Sequence, residues 1–242
     1  MQVRKKREIA TVIFGIVACI LLLGNTHVLV IGVGEFRQEN IPPLPGAVKD
    51  AEEVAKRFEA LGFGKDGEGS LELLLNPGYT NLITAIKSWW NKGKAGDRMI
   101  LYYGGHGETK VTNEGTQTYL VPSDGYSGDL MEDTCLSFQK EVLPLLEGNK
   151  EGKQVLLVID ACYSGSILPG RPASQPKLEL EEFERAPGEY LFSAGPTEIS
   201  QEKEEGGGYF SEAVIEGLRG KANTNGNDTI EMGELADYVI KE

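Results

Sequence analysis

Two side chains in this sequence could together carry out nucleophilic catalysis, the thiol of Cys162 and the imidazole of His106. They lie 56 residues apart, and the chain contains only one other histidine, His27. The thiolate is the nucleophilic form of cysteine, and a neighbouring imidazole raises the thiolate fraction near neutral pH. The pair therefore indicates a cysteine nucleophile with a histidine base, provided that the fold brings the two together.

Each of these residues follows an apolar stretch that is typical of a buried strand. Residues 155–159 and 99–103 are runs of apolar side chains, most of them aliphatic, β-branched or aromatic, as in the central strands of parallel sheets. Ligand crevices in open α/β sheets lie at the carboxyl ends of such strands. The sequence thus predicts His106, Asp160 and Cys162 at one edge of one sheet. Taken alone, Cys162 could equally be a buried structural cysteine, which is a common role.

The loop around His106 is rich in glycine. Gly104, Gly105 and Gly107 leave room for a substrate backbone and allow backbone N–H groups to point at it. His27 instead stands at the start of an apolar run, and we interpret it as a structural strand residue.

The motifs YYGGHG (residues 102–107) and VIDACYSG (residues 158–165) together resemble those of the caspase and metacaspase family of cysteine peptidases. They are closer to the metacaspases and their prokaryotic relatives than to the animal caspases. The spacing of the histidine and cysteine is close to that of caspases. The resemblance extends over most of the chain, from about His27 to Val239.

The resemblance implies a function and a mechanism. Peptide bonds would be hydrolysed by a Cys162/His106 dyad through a thioester, with His106 also protonating the leaving amine. The backbone N–H groups of Gly107 and Cys162 would hold the oxyanion, and backbone atoms rather than a third side chain would orient the imidazole.

The resemblance also implies a substrate preference. Asp50 matches the second acid of the metacaspase specificity pocket, and Asp160 stands two residues before the nucleophile. Two carboxylates would bind Arg or Lys before the scissile bond through charge-assisted hydrogen bonds. The arginine by which animal caspases bind Asp is matched by Leu44, which argues against Asp specificity. For Asp50 alone, the alternative is an exposed acid in the first turn of a helix.

Two other classes of function stay open at this stage. A catalytically silent caspase-like domain would act as a binding or signalling module, although both dyad residues are present. An α/β ligand-binding domain would leave the pairing of cysteine and histidine unexplained. Fold alone does not decide between these functions.

The length, the order of predicted elements and the net charge of the sequence predict its domain organisation, its fold class and one class of partner that it lacks. We expect a basic and hydrophobic N-terminus over residues 1–26 and one peptidase domain over residues 27–242. Strands alternate with helices, so the predicted fold is α/β, a three-layer caspase-like arrangement of a mostly parallel sheet with helices on both faces. The net charge of −13 argues against a nucleic-acid partner.

Residues 9–24 form an uncharged segment of sixteen residues that follows the basic cluster 4–7. It is short for a spanning helix of about 20 residues and long for the core of a signal peptide, about 7–15 residues. We favour an uncleaved anchor over a removed signal peptide, with the catalytic domain outside the cytoplasm. The alternative is a cytoplasmic protein whose N-terminal extension packs on the sheet.

Cofactors are not required by this chemistry. The three cysteines, Cys19, Cys135 and Cys162, show no metal-binding or disulfide spacing, and we predict no resident metal. Activation by calcium stays possible because Asp124, Glu132 and Asp133 fall near the calcium-binding segment of metacaspases. However, Pro169 occupies the neighbourhood of another acid of that site.

A second segment, residues 223–234, resembles an EF-hand loop that ends in Glu234. Asn223, Asn225 and Asn227 replace the usual acids, and Asp228 stands where glycine is needed. We interpret this segment as a turn followed by a helix start.

Overall fold

The computed structural model describes residues 24–64, 69–113, 115–150, 152–161, 189–193, 207–227 and 230–241. Four residues named above lie outside these ranges, namely Cys19, Cys162, Pro169 and Asp228. The predicted membrane segment also lies outside them, apart from Gly24. Among the described residues, no helix is both long and apolar enough to cross a membrane.

The main sheet contains five parallel strands in the order β2-β1-β3-β7-β8. The strands are β1 (Thr26–Gly32), β2 (Gly69–Leu75), β3 (Arg98–Gly104), β7 (Gln154–Asp160) and β8 (Glu189–Phe192). The mostly parallel sheet expected from the sequence is confirmed.

Helices cover both faces of this sheet, which makes the three predicted layers. One face packs on α1, α5 and α6, and the other on α2 and α4. The helices are α1 (Pro45–Ala60), α2 (Tyr79–Lys92), α3 (Met131–Thr134), α4 (Leu143–Glu147), α5 (Tyr209–Glu216) and α6 (Met232–Lys241).

The central strands divide their side chains between two hydrophobic cores because successive residues of a strand point to opposite faces. In β3, Leu101 and Tyr103 join the core on the α2 side, whereas Ile100 and Tyr102 join the core on the α5 side. In β7, Val158 also lies on the α5 side. The same alternation places Asp160 on the face that α5 covers.

A second, smaller sheet was not predicted. Its three antiparallel strands are β4 (Gly107–Thr112), β5 (Gly115–Leu120) and β6 (Leu136–Ser137), in that order. The sequence of β4 is polar apart from Val111, which is 82% exposed, so it lacks the apolar alternation that marks a half-buried strand. The glycine-rich loop around His106 therefore consists of only two residues, Gly105 and His106, between β3 and β4.

Candidate active site

Three neighbouring strands of the main sheet end at the same level. Gly32 of β1 pairs with Gly104 of β3, and Gly104 pairs with Asp160 of β7. The N–H of Gly105 donates to the carbonyl oxygen of Asp160 over 3.1 Å. His106 thus follows the last rung of β3 by two residues, as Cys162 follows the last rung of β7 by two residues, on strands about 4.8 Å apart.

A backbone carbonyl orients the imidazole of His106. The Nε2 atom lies 2.8 Å from the carbonyl oxygen of Pro42, and a carbonyl can only accept, so Nε2 carries the proton. In the neutral ring Nδ1 is then the unprotonated nitrogen, which can serve as the base. The ring also packs on Phe36, with 4.9 Å between the ring centroids.

The buried side chain of Tyr103 holds the main chain at His106 through a hydrogen bond. The hydroxyl of Tyr103 lies 3.0 Å from the carbonyl oxygen of His106 and 3.1 Å from that of Val121. Tyr103 itself is 0% exposed. These contacts hold the main chain of His106 at the edge of the sheet.

The N–H group of Gly107 is not used in the pairing of β4 with β5. Val121 donates its N–H to the carbonyl of His106 over 3.1 Å, so these two residues form a hydrogen-bonded pair of the antiparallel ladder. Hydrogen-bonded and non-hydrogen-bonded pairs alternate along such a ladder. The next pair, Gly107 and Leu120, is non-hydrogen-bonded, so the N–H of Gly107 points away from β5.

A further carboxyl group, not predicted from the sequence, lies near the histidine. Burial raises the pKa of Glu108, and positive charge on His106 opposes this rise.

Asp50 and Asp160, called here the acidic pair, are brought together at the amino end of α5. The Oδ2 atom of Asp50 accepts the N–H of Gly208 over 2.7 Å. Asp160 Oδ2 accepts the hydroxyl of Ser211 and lies so close to Gly208 that a Cβ atom there would be 2.6 Å away. Residues from α1, β7 and α5 thus place two carboxylates around one glycine.

The contacts of the acidic pair offset part of the repulsion between its two negative charges. The amino end of α5 carries a partial positive charge and N–H groups that favour carboxylates, and Ser211 supplies a hydroxyl donor. Both residues are half-buried, so a cation that reached them would be partly removed from water. A guanidinium or ammonium group fits such a site by charge and by its number of donors.

His27 lies at the amino end of β1, at the edge of the sheet opposite to His106. This position agrees with its interpretation as a structural residue. It is 7% exposed, and its Nδ1 atom lies 3.0 Å from the hydroxyl oxygen of Ser70. Its carbonyl accepts the indole N–H of Trp89 over 2.9 Å. These contacts tie β1 to β2 and α2, and they place His27 at the first rungs of β1 rather than at the edge that carries His106.

Two of the three acidic residues considered for calcium, Asp124 and Glu132, have protein partners. Asp124 Oδ1 accepts the N–H of Tyr79 at the start of α2 over 2.7 Å, and Glu132 pairs with Lys110. Within the described ranges, no three His, Cys, Asp or Glu side chains lie close enough to hold a metal ion. Calcium binding by Asp124 would compete with its hydrogen bond to the start of α2.

In the segment that resembles an EF-hand loop, residues 223–234, the last acid accepts hydrogen bonds from the backbone of the same segment. Glu234 Oε1 accepts the N–H groups of Thr224 and Asn225 over 3.0 Å each, and Oε2 accepts that of Glu231 over 3.1 Å. These N–H donors lower the pKa of Glu234. The segment forms a turn that leads into α6, as interpreted from the sequence, although Asp228 lies outside the described residues.

Comparisons with known proteins agree with this architecture. A family model described as "Caspase domain" matches residues 25–239. Over 241 residues the chain is 26% identical to a probable protease of a Desulfuromonadales bacterium, and over 158 residues it is 24% identical to metacaspase III c of Phaeodactylum tricornutum. These alignments cover 88% and 60% of this chain but only 28% and 44% of the two relatives.

Solved structures show the same fold at lower sequence identity. A protein of Geobacter sulfurreducens and caspase-1 of Spodoptera frugiperda each superpose with a TM-score of 0.61, at 16% and 17% identity. Each superposition covers 90% of this chain, with 88% and 76% of the respective neighbour. These structures show the fold, and the family match over residues 25–239 shows that the chain belongs to the caspase domain family.

Proposed function

We propose that this protein is a cysteine endopeptidase in which Cys162 attacks the scissile carbonyl and His106 acts as base and then as acid. The observation that carries the proposal is the hydrogen bond between His106 Nε2 and the Pro42 carbonyl. It leaves Nδ1 as the basic nitrogen, at the sheet edge where Cys162 follows β7. The outward-facing N–H of Gly107 supports a role in holding the oxyanion, together with the N–H of Cys162.

We further propose that the acidic pair binds Arg or Lys before the scissile bond. The support is the convergence of Asp50 and Asp160 on Gly208, since two half-buried carboxylates would favour a cation over a neutral or acidic side chain. Leu44, where animal caspases carry an arginine, supplies no positive charge for an aspartate substrate.

A panel of fluorogenic peptides that differ only in the residue before the scissile bond tests this function on the full chain. We expect Arg and Lys peptides to be cleaved with the highest kcat/KM, citrulline peptides more slowly, and Asp peptides least. Preference for Asp over Arg would overturn the specificity, and no cleavage of any peptide would overturn the peptidase activity. The same assay with calcium or with a chelator measures whether calcium activates the enzyme.

Gly208 should be intolerant of even one added carbon atom. A Cβ atom at this position would lie 2.6 Å from Asp160 Oδ2, so Gly208→Ala must displace either α5 or the carboxylate. We expect kcat/KM for Arg peptides to fall about tenfold or more, comparable to the loss of a hydrogen bond to a charged group.

The matched control is Gly233→Ala in α6, where an added Cβ would meet no atom within 4 Å. That variant should cleave Arg peptides at the wild-type rate. Equal effects of the two substitutions would show that Gly208 has no special relation to the acidic pair.

A further inference from the structure

A chain of hydrogen bonds leads from the interior of the protein to the acidic pair. The hydroxyl of Tyr102 in β3 lies 2.6 Å from the hydroxyl oxygen of Ser211 in α5, and Ser211 in turn bonds Asp160 Oδ2. Tyr102 is 1% exposed and Ser211 is 0% exposed, whereas Asp160 is half-buried. The chain therefore links two buried groups to a carboxylate that substrate could reach.

The direction of this chain follows from the chemistry of its members. A carboxylate only accepts, so the Ser211 hydroxyl donates its single proton to Asp160. The Tyr102 hydroxyl must then donate to Ser211 Oγ. Burial, together with the nearby charges of Asp160 and Asp50, raises the pKa of Tyr102 well above its ordinary value, so the phenol stays a donor at every working pH.

Such a chain restricts the orientation of the carboxylate at its end. Successive hydrogen bonds that point the same way strengthen one another in a site shielded from water. The backbone of β3 and the first turn of α5 hold the two donors, so the position of Asp160 Oδ2 is defined by rigid elements. A carboxylate held in this way loses little conformational entropy when it binds a cation.

We propose that Tyr102 and Ser211 are positioning residues that set the preference for a basic side chain by holding the Asp160 carboxylate in one orientation. This inference rests on the proposed function of the acidic pair. It assigns to two buried residues an effect on substrate selection.

The test compares peptides with Arg or with citrulline before the scissile bond, which have nearly the same shape but differ in charge. Ser211→Ala should lower the Arg-to-citrulline ratio of kcat/KM about tenfold, mainly through a higher KM for the Arg peptide. Tyr102→Phe removes one oxygen atom without a change of shape and should lower the ratio about threefold. A merely structural role would lower the rates for both peptides together and leave the ratio unchanged.

The decisive measurement adds Ser211→Ala to Asp160→Asn. If Ser211 acts through Asp160, the double variant should have the same Arg-to-citrulline ratio as Asp160→Asn alone, because effects that pass through one group are not additive. A full further tenfold drop in the double variant would mean that Ser211 acts by another route, and would overturn the proposal.

A matched control isolates the change from tyrosine to phenylalanine. Tyr119 is 1% exposed, and its hydroxyl has no hydrogen-bond partner within the described part of the chain, so Tyr119→Phe should leave the ratio unchanged. A wild-type enzyme without a preference for Arg over citrulline would overturn both this inference and the proposed specificity. A wild-type preference that survives Tyr102→Phe and Ser211→Ala would overturn the inference alone.

Discussion

Substitution of Cys162 by alanine should lower kcat/KM for peptide hydrolysis by at least about 10⁴-fold while the fold stays intact. The thiolate is the only group in the proposed mechanism that can form the acyl intermediate. Initial rates on an Arg peptide, with circular dichroism as the check on folding, measure this loss. Turnover at the wild-type rate would contradict the mechanism.

Cys135→Ala is the matched control for a lost thiol. Cys135 is 1% exposed, and burial raises the pKa of its thiol to about 11, so it supplies almost no thiolate near neutral pH. The control should therefore retain hydrolysis.

Substitution of His106 by alanine should lower kcat/KM for peptide hydrolysis by about 10²- to 10⁴-fold, because this is the usual contribution of a general base.

The second prediction concerns the effect on kcat/KM of removing one negative charge from the acidic pair. Asp160→Asn keeps an oxygen that can accept from Ser211 but removes one negative charge. Breaking one side of a buried charge pair typically costs about 2–5 kcal/mol, which corresponds to a fall of about 30- to several-thousand-fold in kcat/KM for Arg peptides. Citrulline peptides should lose much less, because they do not use the charge.

The outcome that argues against this account is an equal loss for Arg and citrulline peptides. Asp160 would then position the segment that carries Cys162 rather than bind the substrate side chain. Asp160→Asn should also fail to gain activity on Asp peptides, since Leu44 still provides no cation.

The places of His106 and Asp160 at one edge of the sheet could be predicted from the sequence because they lie at the ends of strands with strong patterns. The apolar runs before His106 and Cys162 predict central strands, and the carboxyl ends of parallel strands meet at one edge. The alternation of side chains along a strand assigns Asp160 to one face of the sheet. These are local rules, so they need no knowledge of distant contacts.

The contacts that complete the site could not be predicted in this way. The carbonyl that orients His106 belongs to Pro42, 64 residues earlier, and any residue type supplies a carbonyl. Ser211 lies 51 residues from Asp160, and a serine in the first turn of a helix carries no signal of its partner. The strand β4 was missed for a related reason, because its polar sequence gives no indication of a partner strand.

The measurement that tests the central claim most directly is covalent labelling of the full chain with a peptide electrophile that ends in Arg. Peptide mapping by mass spectrometry should locate a single adduct on Cys162, and His106→Ala should slow its formation. An otherwise identical reagent that ends in Asp should react far more slowly. A label on Cys135 or Cys19 instead of Cys162, or equal rates for the two reagents, would contradict the proposal of a Cys162 nucleophile beside a pocket for basic side chains.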